Sequence, residues 1–280
     1  MKYEMIGNDT VLTDVKCFDL DLCTDCGQAF RWKKTQEGTQ KAVVRNIVGE
    51  ILKKDGVTVF KNTDRKTFET IWLPYFDLDR DYETILSGFD DEYLKAAINA
   101  YPGIRILRQD SWEALCSFII SQNNNIPRIK GIIERFCVSF GDRIGENDFT
   151  FPSFEKIAGL TENDLAPLRA GFRNKYILDA AKKLARGEIS LDTIETMPIE
   201  QAREELMKIK GVGKKVAECT LLYGFGRVEA FPVDVWVNRI MAELYPDGLP
   251  GCVKGYEGIA QQYLFHWRRN TDEKARERTV

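Results

Sequence analysis

The hydrophobic period of this chain changes once, near residue 110, and that change restricts the fold more than any single residue does. Between residues 28 and 60 the apolar positions come in short pieces: Phe30-Arg31-Trp32, Ala42-Val43-Val44, Ile47-Val48, Ile51-Leu52 and Val57-Thr58-Val59-Phe60. Lys54-Asp55-Gly56 before the last piece is a hairpin turn signal. Residues 64–93 read as helical and acidic. From about residue 110 the period is helical to the end. Trp112, Leu115, Cys116, Ile119 and Ile120 follow i, i+3, i+4, i+7, i+8, a stripe that faces a core. Further helical pieces are expected near 127–140, 162–168, 174–187, 199–208, 214–224, 235–244 and 254–267. The fold class is therefore α+β. An N-terminal antiparallel β-sheet domain with flanking helices (1–108) is expected to precede a mostly helical domain (109–280).

Composition narrows the chemistry. At 44% hydrophobic and 11% aromatic, 280 residues can bury a core, which excludes a disordered chain, a collagen and a coiled-coil rod. No run of 18 apolar residues spans a membrane, and the start lacks the pattern of a secretory signal. The seven cysteines are an odd number and suit reduced thiols in an intracellular, reducing compartment, the cytoplasm with its nucleoid if the source is bacterial. Cys23-x-x-Cys26 is the only CxxC pair, whereas a structural zinc site takes four ligands. The single histidine, His266, rules out a multi-histidine metal site. A nucleophile or base is then expected among Lys, Asp and Glu.

The stretch from Leu206 to Cys219 contains that chemistry. A helix is expected to end near Lys208, Gly211-Val212-Gly213 makes a tight turn, and a second helix begins at about Lys214. The unit, about residues 203–224, is a helix-hairpin-helix. The two glycines permit positive φ or close backbone approach, and the free N–H groups of the second helix can hold a backbone phosphate. An ordinary helix corner with a glycine cap fits the same turn; Lys208, Lys210, Lys214 and Lys215 favour the phosphate. Lys215, Cys219 and Leu222 share one helix face. A lysine on a partly apolar face can act as a free amine nucleophile, though most lysines are simply solvated. Asp234, in Phe231-Pro232-Val233-Asp234, suits the N-cap of a helix from about Val235, or a carboxylate beside a reacting sugar.

Taken together, the GVGxK turn and the PVD nineteen residues after its lysine resemble the helix-hairpin-helix DNA glycosylases with lyase activity. Gly27-Gln28-Ala29-Phe30-Arg31-Trp32, the segment Leu107 to Asn125 and Ala260-Gln261 to Phe265 narrow the resemblance to 8-oxoguanine DNA glycosylase/lyases. It runs over nearly the whole chain. It implies excision of 8-oxoguanine opposite cytosine from duplex DNA, by a monomer, with Lys215 as Schiff-base nucleophile and Asp234 stabilising charge on the sugar. By the same likeness Gly27 reads N7–H, Gln261 the Watson–Crick edge, and Phe265 and Cys219 sandwich the base. Asn123 fills the vacated place, Phe172 is a wedge, and Arg128 and Arg173 contact the orphan cytosine. Gly211, Val212 and Gly213 hold a phosphate. Neighbouring families bind an iron–sulfur cluster through four clustered C-terminal cysteines; only Cys252 follows Cys219 here, so no cluster is expected. Carbonyls near Met207, Ile209 and Val212 are expected to hold a weak monovalent cation, as in the family. Trp236 stands where some relatives have a phosphate-contacting histidine. A monofunctional glycosylase for alkylated bases and a non-catalytic DNA-binding module are the alternatives.

The net charge of −3 argues against DNA until it is resolved along the chain. Residues 166–186 sum to +5 and residues 201–215 to +3, while residues 64–93 sum to −6. The expectation is a charge-segregated molecule with its basic face around the cleft.

Overall fold

The computed structural model describes residues 1–277, with side chains through residue 271. Six strands form one antiparallel sheet: β1 (Tyr3–Ile6), β2 (Asp9–Leu12), β3 (Lys33–Lys34), β4 (Gln40–Val44), β5 (Ile47–Lys54) and β6 (Val57–Phe60). Their order is β1-β2-β6-β5-β4-β3. Two tight turns set the register. Arg45-Asn46 joins β4 to β5 with φ of 46° and 65°, and Asp55-Gly56 joins β5 to β6 with φ of 51° and 82°. Positive φ at both central positions matches the right-handed strand twist.

One sheet face is covered by aromatic rings. Phe68 and Trp72 lie in a π-helical turn (Phe68–Trp72) between α2 (Arg65–Thr67) and α3 (Leu73–Tyr75), and with Trp32, Phe60 and Phe76 they fill the first core. Gly49 makes this possible, because a Cβ there would come 2.2 Å from a Trp72 ring carbon.

The second core is helical. Helix α1 (Leu20–Asp25) gives its buried Leu20 and Cys23 to the first core; the elements of the second are α4 (Tyr82–Ser87), α5 (Glu92–Ala100), α6 (Ser111–Ser121), α7 (Ile126–Phe140), α8 (Phe154–Ala158), α9 (Asn174–Ala185), α10 (Leu191–Thr196), α11 (Ile199–Met207), α12 (Lys214–Phe225), α13 (Val235–Leu244) and α14 (Glu257–Glu277). Helices α6 and α12 pack side by side. Gly224 allows it: a Cβ there would lie 3.1 Å from the Ala114 Cβ. Phe118 of α6 stacks on Tyr223 of α12 with centroids 5.2 Å apart.

Buried amides join sheet and helices. Gln28 Oε1 accepts from Leu107 N–H (2.9 Å), and Gln28 Nε2 donates to the Arg105 carbonyl (2.8 Å). Gln262 Nε2 donates to the Cys26 carbonyl at 3.0 Å, while its Oε1 accepts from Tyr223 Oη at 2.5 Å. These bonds fix the chain on both sides of Gly27.

The structure departs from the expected elements in places. Phe30-Arg31-Trp32 is not a strand; Phe30 instead packs edge-on against Phe118, 5.9 Å away. Only Ala166–Leu168 of the expected 162–168 helix forms, as a short 3-10 turn containing Pro167. Strands β1 and β2, four residues each, and the short helices α8 and α10 offered too few residues for a period to show. Among the described residues, no helix is long and apolar enough to cross a membrane.

Candidate active site

Lys215 lies in the first turn of α12, against the last turns of α6. Its Nζ donates to Ser121 Oγ at 3.1 Å and sits 5.3 Å from the Phe118 ring centroid. An apolar ring and one hydroxyl therefore surround the amine where a surface lysine would have water. Cys219, one turn further on, is buried, and burial pushes its thiol up to about 11. Lys215 opposes that shift and Asp234 adds to it, so all three groups share one electrostatic neighbourhood.

Asp234 caps α13, its Oδ1 accepting from Val237 N–H at 2.8 Å. The positive end of the helix dipole favours a carboxylate there. What fixes Asp234 relative to Lys215 is Glu218, which the sequence reading passed over. Glu218 is buried on α12, one turn from Lys215, and its Oε2 accepts from Phe231 N–H at 2.8 Å. Its other oxygen accepts from Arg203 Nε of α11. Phe231 opens the segment that delivers Asp234, so one buried carboxylate ties both chemical groups to a single helix.

The expected base-recognition residues converge on the other wall. Gly27 adopts φ +84°, and a Cβ built on it would lie 3.6 Å from Phe265 and 3.7 Å from Ile126. Phe265 is half-buried on α14. Gln261, one turn earlier, is buried with its Oε1 lacking any hydrogen-bond partner. Leaving such an oxygen unsatisfied costs about 1–3 kcal/mol, a cost that an N–H donor on a ligand would remove. The Tyr223–Gln262 bond brings this wall beside α12 and Cys219.

The polar loop after α6 forms a third wall. Asn123 is exposed in the left-handed region at φ +47°. Asn125 caps α7 by accepting from Arg128 N–H at 3.0 Å. Arg173 is 3% exposed. Its Nε donates to the Gln122 carbonyl (3.0 Å), its Nη2 to the Asn123 carbonyl (3.1 Å), and its Nη1 to the Ala170 carbonyl (3.1 Å). Burial holds its guanidinium below the usual range, and nearby Arg128 adds to that. Phe172 beside it is 45% exposed, a large ring left in water next to a polar loop.

The hairpin is built as expected, with one difference. Gly211 has φ +79° and lies under Tyr176, whose ring a Cβ would approach to 2.3 Å. Gly213 is extended, and its role is the open space beside it at the uncapped start of α12. Val212 is buried and its N–H donates to the Ile209 carbonyl at 3.0 Å. Helix α9 braces the turn: Asp179 accepts from Lys210 N–H at 2.7 Å, and Lys183 Nζ donates to the Lys208 carbonyl at 2.5 Å. Trp236 is half-buried with the Arg239 guanidinium 5.3 Å from its ring.

Residues 10–115 match the model of the 8-oxoguanine DNA glycosylase N-terminal domain, and residues 116–248 that of the HhH-GPD superfamily of base excision DNA repair proteins. A structure of MBOgg1 with a low-affinity DNA ligand is 40% identical, with a TM-score of 0.90 over 97% of this chain and 100% of that one. This chain belongs to the 8-oxoguanine DNA glycosylases. The Clostridium acetobutylicum 8-oxoguanine glycosylase/lyase, bound to DNA with cytosine opposite 8-oxoguanine, is 35% identical, with a TM-score of 0.90 over 97% of this chain and 99% of its own. The N-glycosylase/DNA lyase of Saccharomyces cerevisiae is 35% identical over 251 residues, 78% of this chain and 66% of the yeast protein. In this glycosylase the sheet domain and the helix-hairpin-helix domain occur in the order expected for the family.

Proposed function

We infer that this glycosylase removes 8-oxoguanine opposite cytosine from duplex DNA and then cuts the strand. The observation that carries the mechanism is the placement of Lys215. Its amine lies in a half-buried niche between Phe118, Ser121 and Cys219, in the first turn of a helix whose uncapped N–H groups suit a phosphate. The base leaves the stack to reach this niche. Lys215 Nζ attacks C1′, the C1′–N9 bond breaks, and its electron pair and a proton leave with the base. The sugar ring opens to a Schiff base on Lys215. Loss of a C2′ proton then expels the 3′ phosphate. Asp234 stabilises positive charge on the sugar.

The remaining residues take roles by position. Gly27 presents its carbonyl to N7–H, which 8-oxoguanine has and guanine lacks. The free oxygen of Gln261 accepts from the base edge, and Phe265 and Cys219 stack on its two faces. Asn123 enters the vacated place, with Phe172 as wedge and Arg128 and Arg173 on the orphan cytosine. Gly211, Val212 and Gly213 hold the backbone. The chemistry calls on no cofactor, and the hairpin carbonyls near Ile209 take at most a monovalent cation. Seven free thiols and a DNA substrate suit a reducing, chromosome-bearing compartment.

Borohydride trapping on an 8-oxoguanine–cytosine duplex tests the reading. The wild type is expected to form a covalent adduct and Lys215→Gln none, with DNA binding retained. Base release without any adduct would favour a monofunctional glycosylase instead.

A further inference from the structure

Ser121 is a residue that the family likeness does not assign and the structure sets against the nucleophile. It is the last residue of α6, directly before Gln122-Asn123. Its oxygen accepts from Lys215 Nζ, while its own proton goes to the Phe118 carbonyl at 2.8 Å. With that proton committed, Ser121 meets the amine only as an acceptor. It holds the amine in one direction.

The next two residues are held from the opposite side. Arg173 donates to the carbonyls of both Gln122 and Asn123, and these bonds keep its guanidinium almost wholly buried. Its Nη2 cannot reach an orphan base without letting those carbonyls go. Asn123 is meanwhile at φ +47°, a left-handed conformation that asparagine tolerates better than most L-residues. Three consecutive residues thus connect the nucleophile to an arginine proposed to read the orphan base.

We propose that Ser121 is a positioning residue that transmits orphan-base recognition to Lys215. With cytosine opposite the lesion, Arg173 exchanges the Gln122 and Asn123 carbonyls for the O2 and N3 acceptors of the base. The turn is then free to shift, and Ser121 releases the amine toward C1′. With adenine opposite, Arg173 finds no such acceptor pair, the turn stays clamped and the amine stays on Ser121. Opposite-base discrimination is then exercised in the chemical step as well as in binding. This proposal rests on the glycosylase/lyase reading above.

Single-turnover excision of 8-oxoguanine opposite cytosine and opposite adenine tests it, with affinity for each duplex measured alongside. In Ser121→Ala the cytosine-to-adenine rate ratio is expected to fall about tenfold, the upper weight of one ordinary hydrogen bond. Affinities should be unchanged, and Ser121→Thr, which keeps the hydroxyl, should restore the ratio. A purely structural role would lower both rates together and leave the ratio intact; that result overturns the proposal. If the alanine variant does not fold, Ser121→Cys, a weaker acceptor, reads out the same ratio. Absence of a wild-type adduct would remove the lyase reading itself, whereas a wild-type adduct with an unchanged ratio removes only the role of Ser121.

Discussion

A single methyl group added at Gly27 is expected to separate the two half-reactions. The φ of +84° there costs an alanine about 1–2 kcal/mol, although the nearest atoms at 3.6 and 3.7 Å leave room for the methyl itself. The strain falls on the peptide whose carbonyl is proposed to face the base. Gly27→Ala should therefore slow 8-oxoguanine release while leaving β-elimination at a preformed abasic site intact, because that substrate has no base to read. Equal loss of both activities would place Gly27 outside base recognition. The thiols give a second residue-level prediction. Burial raises Cys23 and Cys137 to about 12 and Cys219 to about 11. In the unfolded chain these thiols lose their protons near pH 9, so the native state binds more protons between about pH 9 and 12. Stability is then fully present below pH 9 and declines as pH rises through that window. Thermal melts from pH 7 to 11 check this; a flat melting temperature to pH 11 would contradict it. Lys215 and Asp234 could be picked out as candidates because a turn, a lysine and a capping aspartate lie at short, fixed spacing within one segment. Ser121 was not: it lies 94 residues from Lys215, and only the packing of α6 on α12 joins them.

The element that sets the reaction geometry is α12. Lys215, Glu218 and Cys219 all belong to it, and Glu218 reaches out to hold Phe231 and Arg203. Glu218→Gln keeps an acceptor but removes the charge that Arg203 needs, at a cost of about 1–3 kcal/mol for a buried charged hydrogen bond. Both base release and β-elimination should slow together, since Lys215 and Asp234 are proposed to serve both steps. Wild-type rates alongside a lowered melting temperature would show that the carboxylate serves stability alone. The hairpin makes the matching point about legibility. Its glycines could be seen in the sequence, but their separate duties could not. Gly211 answers to Tyr176 of α9, a contact from 35 positions earlier in the chain, whereas Gly213 answers to the space outside. The helical stripe of α6 was plain because it runs for three turns, whereas α12 is buried on nearly every side and shows no stripe. Helices α8 and α10, with five and six residues, left no period to read.

At the scale of the whole molecule, charge is distributed more finely than local sums indicate. Asp77, counted in the acidic stretch, is fully buried between Arg80 (2.6 Å) and Arg108 (2.5 Å) and contributes to structure rather than to an outer field. On the basic side, Arg203 belongs to Glu218 and Glu200, and Lys183 to Asp179. Lys175, Lys182, Lys210 and Lys214 form no ion pair among the described residues, and they surround the hairpin and α9. Duplex affinity should accordingly fall steeply between 50 and 200 mM salt. Replacing Lys210 and Lys214 together should flatten the slope by about two counterions; a salt-independent affinity would contradict a phosphate interface here. Among the lysines around the hairpin, one amine, that of Lys215, is proposed to become bonded to C1′. Lys214 and Lys215 are adjacent, and only the second is enclosed by Phe118, Ser121 and Cys219. Borohydride trapping on an 8-oxoguanine–cytosine duplex, followed by mass mapping of the cross-linked peptide, tests that claim directly. The deoxyribose remnant is expected on Lys215 alone, and a remnant on Lys214, or on any lysine outside α12, would contradict that assignment.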